Sequence, residues 1–180
     1  VRFIPLAIGG VWRVEPERHA DERGFFARTW CTREFAAQGL VASFVQTSVS
    51  FNEAAGTLRG LHYQVEPHAE EKLVRCTRGA IFDVAVDLRP DSPTYLAWCG
   101  ETLTAANALA LYVPKGCAHG FMTLEDASEV LYAISELYAP DHARGVRWND
   151  PAVGVVWPRE PARMSARDAG YALMAHEAWR

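Results

Sequence analysis

The stretch Arg59-Gly60-Leu61-His62-Tyr63-Gln64, followed eight residues later by Lys72-Leu73-Val74-Arg75, holds the residue types best suited to chemistry. Histidine is the side chain that most readily takes a proton near neutral pH, and Arg59 and Lys72 bracket His62 with fixed positive charge. Together they describe a base beside an anion-binding frame. On a strand, alternation puts His62 and Gln64, with Lys72, on one face and turns Leu61 and Tyr63 to the other. A single histidine among apolar residues also suits a hydrogen-bonded structural role, and this segment alone leaves both roles open.

The elements that must position these residues belong to one expected domain, 1–180, since 180 residues at 49% hydrophobic composition suffice for one substantial core. A net charge of −4 argues against a general nucleic-acid binder, because backbone affinity for nucleic acid needs clustered Lys and Arg. Any phosphate contact should be local. Val1 to Trp12 is apolar but broken by Pro5 and Gly9-Gly10, without the small-residue pattern of a signal-peptide cleavage site. No apolar run is long enough to cross a bilayer, so the expectation is a cytoplasmic chain without membrane contact. Cys31, Cys76, Cys99 and Cys117 are scattered, as suits reduced thiols rather than disulfides or a zinc knuckle.

Taken in order, Val1 to Val14 supplies one or two strands interrupted at the glycines, and Asp21-Glu22-Arg23-Gly24-Phe25-Phe26 is a turn leading into a strand. Thr32 to Gly39 predicts a short helix, with Thr32 as N-cap and Gly39 as stop. From Val41 to Phe51 the alternation gathers Gln46, Ser48 and Ser50 on one face, as a solvated stripe or a pocket lining. Further strands are expected at Val74 to Thr77, Ala80 to Leu88, Tyr95 to Leu103, Ala108 to Val113, Cys117 to Met122 and Glu129 to Leu137. In the second of these, Asp83, Ala85 and Asp87 share a charged face opposite Phe82, Val84, Val86 and Leu88. Short strands with turns every eight to twelve residues indicate an all-β antiparallel sandwich or barrel, and no glycine-rich phosphate loop supports a doubly wound fold. Near the end, Ser165 and Asp168 have the spacing of an N-cap and its third-position partner, which reads simply as a helix start.

With these motifs assembled, the chain resembles the dTDP-4-dehydrorhamnose 3,5-epimerase family of the cupin superfamily. The resemblance rests on Asp21 to Phe26, Arg59 to Gln64, Lys72 to Arg75, Asp83 to Arg89, Pro114-Lys115-Gly116-Cys117-Ala118-His119-Gly120-Phe121, Tyr132, Tyr138 and Trp148-Asn149-Asp150. It implies a jelly-roll (cupin-like) barrel with short flanking helices, and a homodimer in which N-terminal strands of one subunit help complete the other's site. It implies epimerisation at C3, C5 or both of a nucleotide-diphospho-4-keto-6-deoxyhexose, with no cofactor and no metal. Metal-binding cupins typically offer a His-x-His pair, and here the second position is Gln64. By the resemblance His62 is the base, Asp168 orients it, Lys72 stabilises the enolate oxygen and Tyr132 returns a proton from the other face. Arg59 is carried over to the sugar-phosphate region and His119 to a supporting or carbonyl-facing place. Arg23, Phe26, Gln46 and Tyr138 match positions associated with the nucleotide.

Two departures from the family pattern fall in the nucleotide region. Arg28 stands where glutamate is common, and Gln46-Thr47-Ser48 stands where Gln-x-Asn is common. An arginine can only donate hydrogen bonds, which favours a base presenting acceptors, so a CDP-linked sugar is the alternative to dTDP. An enzyme inverting C3 only or C5 only uses the same residue types, and a metal-dependent cupin enzyme is the remote alternative.

Overall fold

The computed structural model describes residues 1–41 and 43–174. Ala42, inside the run read from Val41, and the last six residues of the expected domain lie outside the described residues. In chain order the elements are β1 (Arg2–Pro5), β2 (Trp12–Glu15), β3 (Arg18–Asp21), β4 (Gly24–Ala27), helix α1 (Thr32–Ala37), β5 (Gln46–Asn52), β6 (Leu58–Gln64), β7 (Lys72–Arg78), β8 (Ala80–Asp87), β9 (Trp98–Thr104), β10 (Ala110–Val113), β11 (Cys117–Thr123), β12 (Ser128–Ile134), β13 (Ala143–Gly145) and helix α2 (Ala166–Ala169). A six-stranded sheet, ordered β1-β2-β10-β7-β12-β5, faces a five-stranded sheet, ordered β13-β6-β11-β8-β9. Every strand pairing in the two sheets is antiparallel, as a jelly roll requires. The hairpin β3–β4 stands apart from both sheets. No helix among the described residues is long and apolar enough to cross a membrane.

Alternation decides what each sheet buries. Val74, Cys76, Leu111, Val113 and Val130 from the first sheet meet Ile81, Ala85, Leu103, Cys117 and Phe121 from the second, filling the space between them. The opposite face of the second sheet, carrying Leu61, Val84, Val86 and Ala118, is covered by Val146, Val153 and Trp157 of the C-terminal tail. Phe35 of α1 covers Val14, Leu73, Ala110 and Tyr112 on the outer face of the first sheet. The four thiols are unpaired, with Cys76 and Cys117 buried.

The element boundaries differ from the sequence expectation for local reasons. The strand read from Val41 begins only at Gln46, because Leu40, Val41 and Phe44 are spent packing around Phe35, and the Val41 amide donates to Tyr112 Oη at 3.2 Å. The strand read from Tyr95 begins at Trp98, since Tyr95 and Leu96 turn back to bond Ser92 and Asp87. β12 ends at Ile134 rather than Leu137, because Gln64 takes up backbone groups of Leu137 and Ala139. Thr32 is not the N-cap of α1: Cys31 occupies that position in an extended conformation and no side chain caps the helix. Gly39 does follow the helix end at φ +70°. The charged face of β8 is not solvated; Asp83 and Asp87 are fully buried on the inner face of the sheet.

One close approach sets the geometry of β6. A Cβ on Gly60, which sits at φ +134°, would lie 2.5 Å from the Gly120 Cα, so two glycines let the β6 and β11 backbones pass where no side chain fits. Just beyond this crossing His62 and His119 stand directly opposite one another.

Asp87 anchors the end of β8. Burial alone would raise its carboxyl, but donation from Arg89 Nε at 2.8 Å and Nη2 at 2.9 Å, from the Arg89 amide, and from the Ser92 and Thr94 hydroxyls overcomes this and holds it well below the usual carboxylate range. A depressed native value contributes stability that is present above the unfolded carboxylate value of about 4 and fades as pH falls below it. Asp87→Asn should therefore cost about 3 kcal/mol in urea unfolding at pH 7, and the gap from the parent should narrow when the titration is repeated below pH 4.

Candidate active site

The inner faces of the two sheets diverge above the apolar core and enclose a cavity of about 580 Å³. His62 on β6 opens into it, with 41% of its side chain exposed, while its partner Asp168 is only 6% exposed. His62 Nε2 lies 2.7 Å from Asp168 Oδ1 across a separation of 106 residues. Asp168 reaches this place because α2 is stopped and capped locally: Ser165 Oγ accepts from the Asp168 amide at 3.0 Å, and the Gly60 amide donates to Asp168 Oδ2 at 3.3 Å. Burial would raise the Asp168 carboxyl, but the His62 bond and charge, with the donors from Gly60 and Ser165, hold it below its ordinary value. An ionised Asp168 accepts a hydrogen bond from Nε2–H, which leaves the Nδ1 lone pair as the basic atom of the ring. The helix-start reading of Ser165 and Asp168 holds as well: Ser165 caps the Asp168 amide, and the carboxylate is left for His62 and Gly60.

The opposite wall belongs to the six-stranded sheet. Tyr132 on β12 projects inward, its hydroxyl 3.2 Å from Ser50 Oγ on β5, and its ring meets His119 edge-on at 6.1 Å between centroids. Burial pushes the Tyr132 phenol far above its ordinary value, with the Ser50 bond only partly offsetting this, so it stays a neutral proton donor at any working pH. Lys72, at the start of β7, donates to the His62 carbonyl at 3.2 Å and lies 2.8 Å from Glu70 Oε1. His119 is held by Asp83 at 2.8 Å; burial raises that carboxyl while the histidine works against the rise.

Arg59, Lys72, Arg144, Arg163 and Arg167 line the cavity and outweigh Glu70 and Asp168, in a chain whose net charge is −4. A locally cationic pocket in an acidic protein selects anionic ligands. Arg59 is fixed by donation from Nε to Asn52 Oδ1 at 2.7 Å, and Asn52 in turn donates to the Ser128 carbonyl. Gln64, at the position of a possible metal ligand, spends both amide protons on the carbonyls of His68 and Leu137 and accepts from the Ala139 amide at 2.7 Å. It is a clasp for the loop carrying Tyr138. With Gln64 so committed, and no group of three His, Cys, Asp or Glu among the described residues placed to hold an ion, the donor set does not fit a metal centre.

Of the residues singled out from sequence, the structure brings His62, Asp168, Lys72, Tyr132, Arg59, His119, Gln46, Ser48 and Tyr138 to this one cavity. The stripe of Gln46, Ser48 and Ser50 is thus a pocket lining, while Val45, Val49 and Phe51 on the same run are exposed. Arg23, Phe26 and Arg28 do not line this cavity. Arg23 pairs with Asp21 at the tip of the β3–β4 hairpin, and Phe26 is 75% exposed. Arg28 pairs with Glu34 at 2.7 Å. Sequence reasoning missed Glu70, Arg144, Arg163 and Arg167. Glu70 had a signal, since it lies two residues from Lys72 in extended chain and so shares its side; nothing in the pattern pointed to the arginines.

The sequence matches the family model described as dTDP-4-dehydrorhamnose 3,5-epimerase over residues 5–176. The dTDP-4-dehydrorhamnose 3,5-epimerase of Pseudomonas aeruginosa is 47% identical over 158 residues, covering 87% of this chain and 86% of that protein. The dTDP-4-dehydrorhamnose 3-epimerase of Streptomyces niveus is 38% identical, covering 97% and 84%. The crystal structure of the Bacillus anthracis dTDP-4-dehydrorhamnose 3,5-epimerase, with TDP and pyrophosphate bound, superposes with a TM-score of 0.92 at 42% identity, covering 96% of this chain and 99% of that one. A jelly roll with a histidine–aspartate pair facing a half-buried tyrosine, matched in sequence over nearly its whole length, places this chain in the dTDP-4-dehydrorhamnose 3,5-epimerase family.

Proposed function

We propose that this protein inverts C3 and C5 of a dTDP-linked 4-keto-6-deoxyhexose by removing and returning the protons next to the C4 carbonyl. The observation that carries the reading is the division of acid and base between opposed walls: His62 on the five-stranded sheet, Tyr132 on the six-stranded sheet, and Lys72 beside the histidine. Inversion needs a proton taken from one face of the sugar and one delivered to the other. His62 Nδ1 takes the hydrogen from the carbon, and the electron pair moves into the carbonyl to give an enolate. The Lys72 ammonium meets the negative oxygen; a preorganised donor in such a place contributes about 3 kcal/mol to the barrier. Tyr132 then delivers its proton from the far side, and both groups are reset by exchange with solvent. Asp168 keeps the imidazole in the productive tautomer and stabilises its protonated form.

The cationic rim around Arg59, Arg163 and Arg167 suits the diphosphate. The case for a CDP-linked sugar rested on Arg28 reading the base. Its ion pair with Glu34 gives that arginine another occupation, and the dTDP-named relatives favour thymidine. A homodimer belongs to the same reading. The β3–β4 hairpin presents Phe25 and Phe26 to solvent, and the edge strand β5 exposes Val49 and Phe51, surfaces that suit a second copy. Arg23 and Phe26 would then serve the partner's cavity. The unpaired thiols suit a cytoplasmic setting.

Incubation with dTDP-4-keto-6-deoxyglucose in deuterium oxide should place deuterium at both C3 and C5. His62→Asn should slow that exchange by about 10³-fold or more, and a variant exchanging near the parent rate would sink the assignment. Label confined to one carbon would instead make the enzyme a mono-epimerase.

Tyr132→Phe separates the two proton transfers. Exchange on the His62 side should continue while net inversion falls by about 10²-fold, as followed by proton NMR of the same mixture. Inversion at the parent rate would take the acid role from Tyr132.

Light scattering should give the mass of two chains. Phe26→Ala should weaken dTDP binding by about tenfold through loss of base stacking, with the melting temperature held within about 2 °C. Unchanged affinity would remove Phe26 from the nucleotide site.

A further inference from the structure

Glu70 lines the cavity and has no part in the chemistry above. Its Oε1 lies 2.8 Å from Lys72 Nζ, and the two side chains are only 10% and 9% exposed. The loop between β6 and β7 fixes it from both sides. Gln64 Nε2 donates to the His68 carbonyl at 3.0 Å, the Glu71 amide donates to Ser135 Oγ at 2.8 Å, and the Ser135 amide donates to the Glu71 carbonyl at 3.0 Å. A carboxylate buried this far and strapped on either side is preorganised for its partner.

A lysine ammonium has three N–H donors. The His62 carbonyl takes one of them and Glu70 holds the ammonium as an ion pair, which leaves N–H donors for a ligand in the cavity. Among the described residues Glu70 and Asp168 are the two carboxylates that line this space, and each holds a different partner, Lys72 and His62 respectively.

We propose that Glu70 is a positioning residue, whose carboxylate holds the Lys72 ammonium on its own side of the cavity and aims a remaining N–H at the substrate oxygen. The proposal rests on the role given to Lys72 in the reaction above. It makes the loss of Glu70 a defect in the chemical step rather than in binding.

The test is a double-mutant cycle on the full-length protein with dTDP-4-keto-6-deoxyglucose, reading kcat, KM, deuterium exchange and dTDP affinity. Glu70→Gln should lower kcat by about 10- to 100-fold while KM and dTDP affinity stay within about twofold. In the Lys72→Met background the same change should alter the residual exchange rate by less than about twofold, because there is no ammonium left to aim. Glu70→Asp, which keeps the charge but withdraws it by one methylene, should lose less than Glu70→Gln. Equal losses in both backgrounds, or a fall in dTDP affinity alongside kcat, would make Glu70 a structural residue and overturn the proposal. A Lys72→Met enzyme with parental kcat would overturn the role of Lys72 itself, and the proposal with it, independently of what Glu70→Gln does.

Discussion

The 2.7 Å contact between His62 and Asp168 is the interaction on which the arrangement turns, because it obliges the chain to return to β6 after more than a hundred residues. The tail is built to do this. Trp157 and Val153 pack on the outer face of the five-stranded sheet, the Leu58 amide takes the Arg163 carbonyl at 2.9 Å, and Asp150 Oδ2 accepts from the Met174 amide at 2.6 Å. α2 is only four residues long, so its stability comes from these tertiary contacts and from the Ser165 cap rather than from helix propensity. A carboxylate delivered by such a strap arrives with its remaining lone pairs already engaged by Gly60, and the imidazole has one orientation left to it.

The same alternation that builds the core builds the site. Lower in the sandwich the inward positions of β7, β8 and β12 carry Val74, Cys76, Ile81, Ala85 and Val130, with Asp83 buried between Ile81 and Ala85; toward the open end β7 and β12 carry Lys72 and Tyr132. Polar groups can occupy such positions because nearly every one has a partner: Asp83 with His119, Asn52 with Arg59, Ser50 with Tyr132. The exception is Asp83 Oδ2, which is buried without a hydrogen bond among the described residues, and this is one reason that carboxyl rises while the hydrogen-bonded Asp168 falls. Two histidines facing each other across β6 and β11 are thus backed by carboxylates of opposite tendency, and only His62 is open enough to the cavity to meet substrate.

Much of this was legible in the chain. Short alternating strands gave the all-β class, the alternation of β6 separated His62 and Gln64 from Leu61 and Tyr63, and alternation gathered Gln46, Ser48 and Ser50 on one face while leaving open whether it was solvated or a lining. What local pattern could not supply was distance. Asp168 reads as an ordinary helix start until the tail folds back, and its role came from family resemblance rather than spacing. The charged face of β8 was legible as a shared side, but its burial was not, because alternation tells which residues share a side, not which side is covered. Arg28 looked like a base-reading residue because its partner Glu34 sits across a turn, where neither strand nor helix periodicity relates them. Strand ends were misjudged wherever a side chain, such as Gln64 or Phe35, took over backbone or apolar partners that the sheet would otherwise have used.

In the proposed reaction a single base serves two carbons, and the cavity explains how that is possible. C3 and C5 flank the C4 carbonyl, so an oxygen pinned by Lys72 acts as a pivot and brings either hydrogen toward the wall that carries His62. The acid on the facing wall need not move, since Tyr132 is held by Ser50 and stays protonated whichever carbon has been ionised. The number of centres inverted is then governed by how far the sugar can turn about the pivot, which depends on the width of the cavity and the grip on the diphosphate, not on the types of the reacting residues. A 3-epimerase and several 3,5-epimerases stand side by side among the relatives of this chain. In such a site specificity is a property of the supporting contacts, of Gln64 holding the Tyr138 loop and Asn52 holding Arg59, because these set the space in which the ring turns while His62, Lys72 and Tyr132 stay fixed.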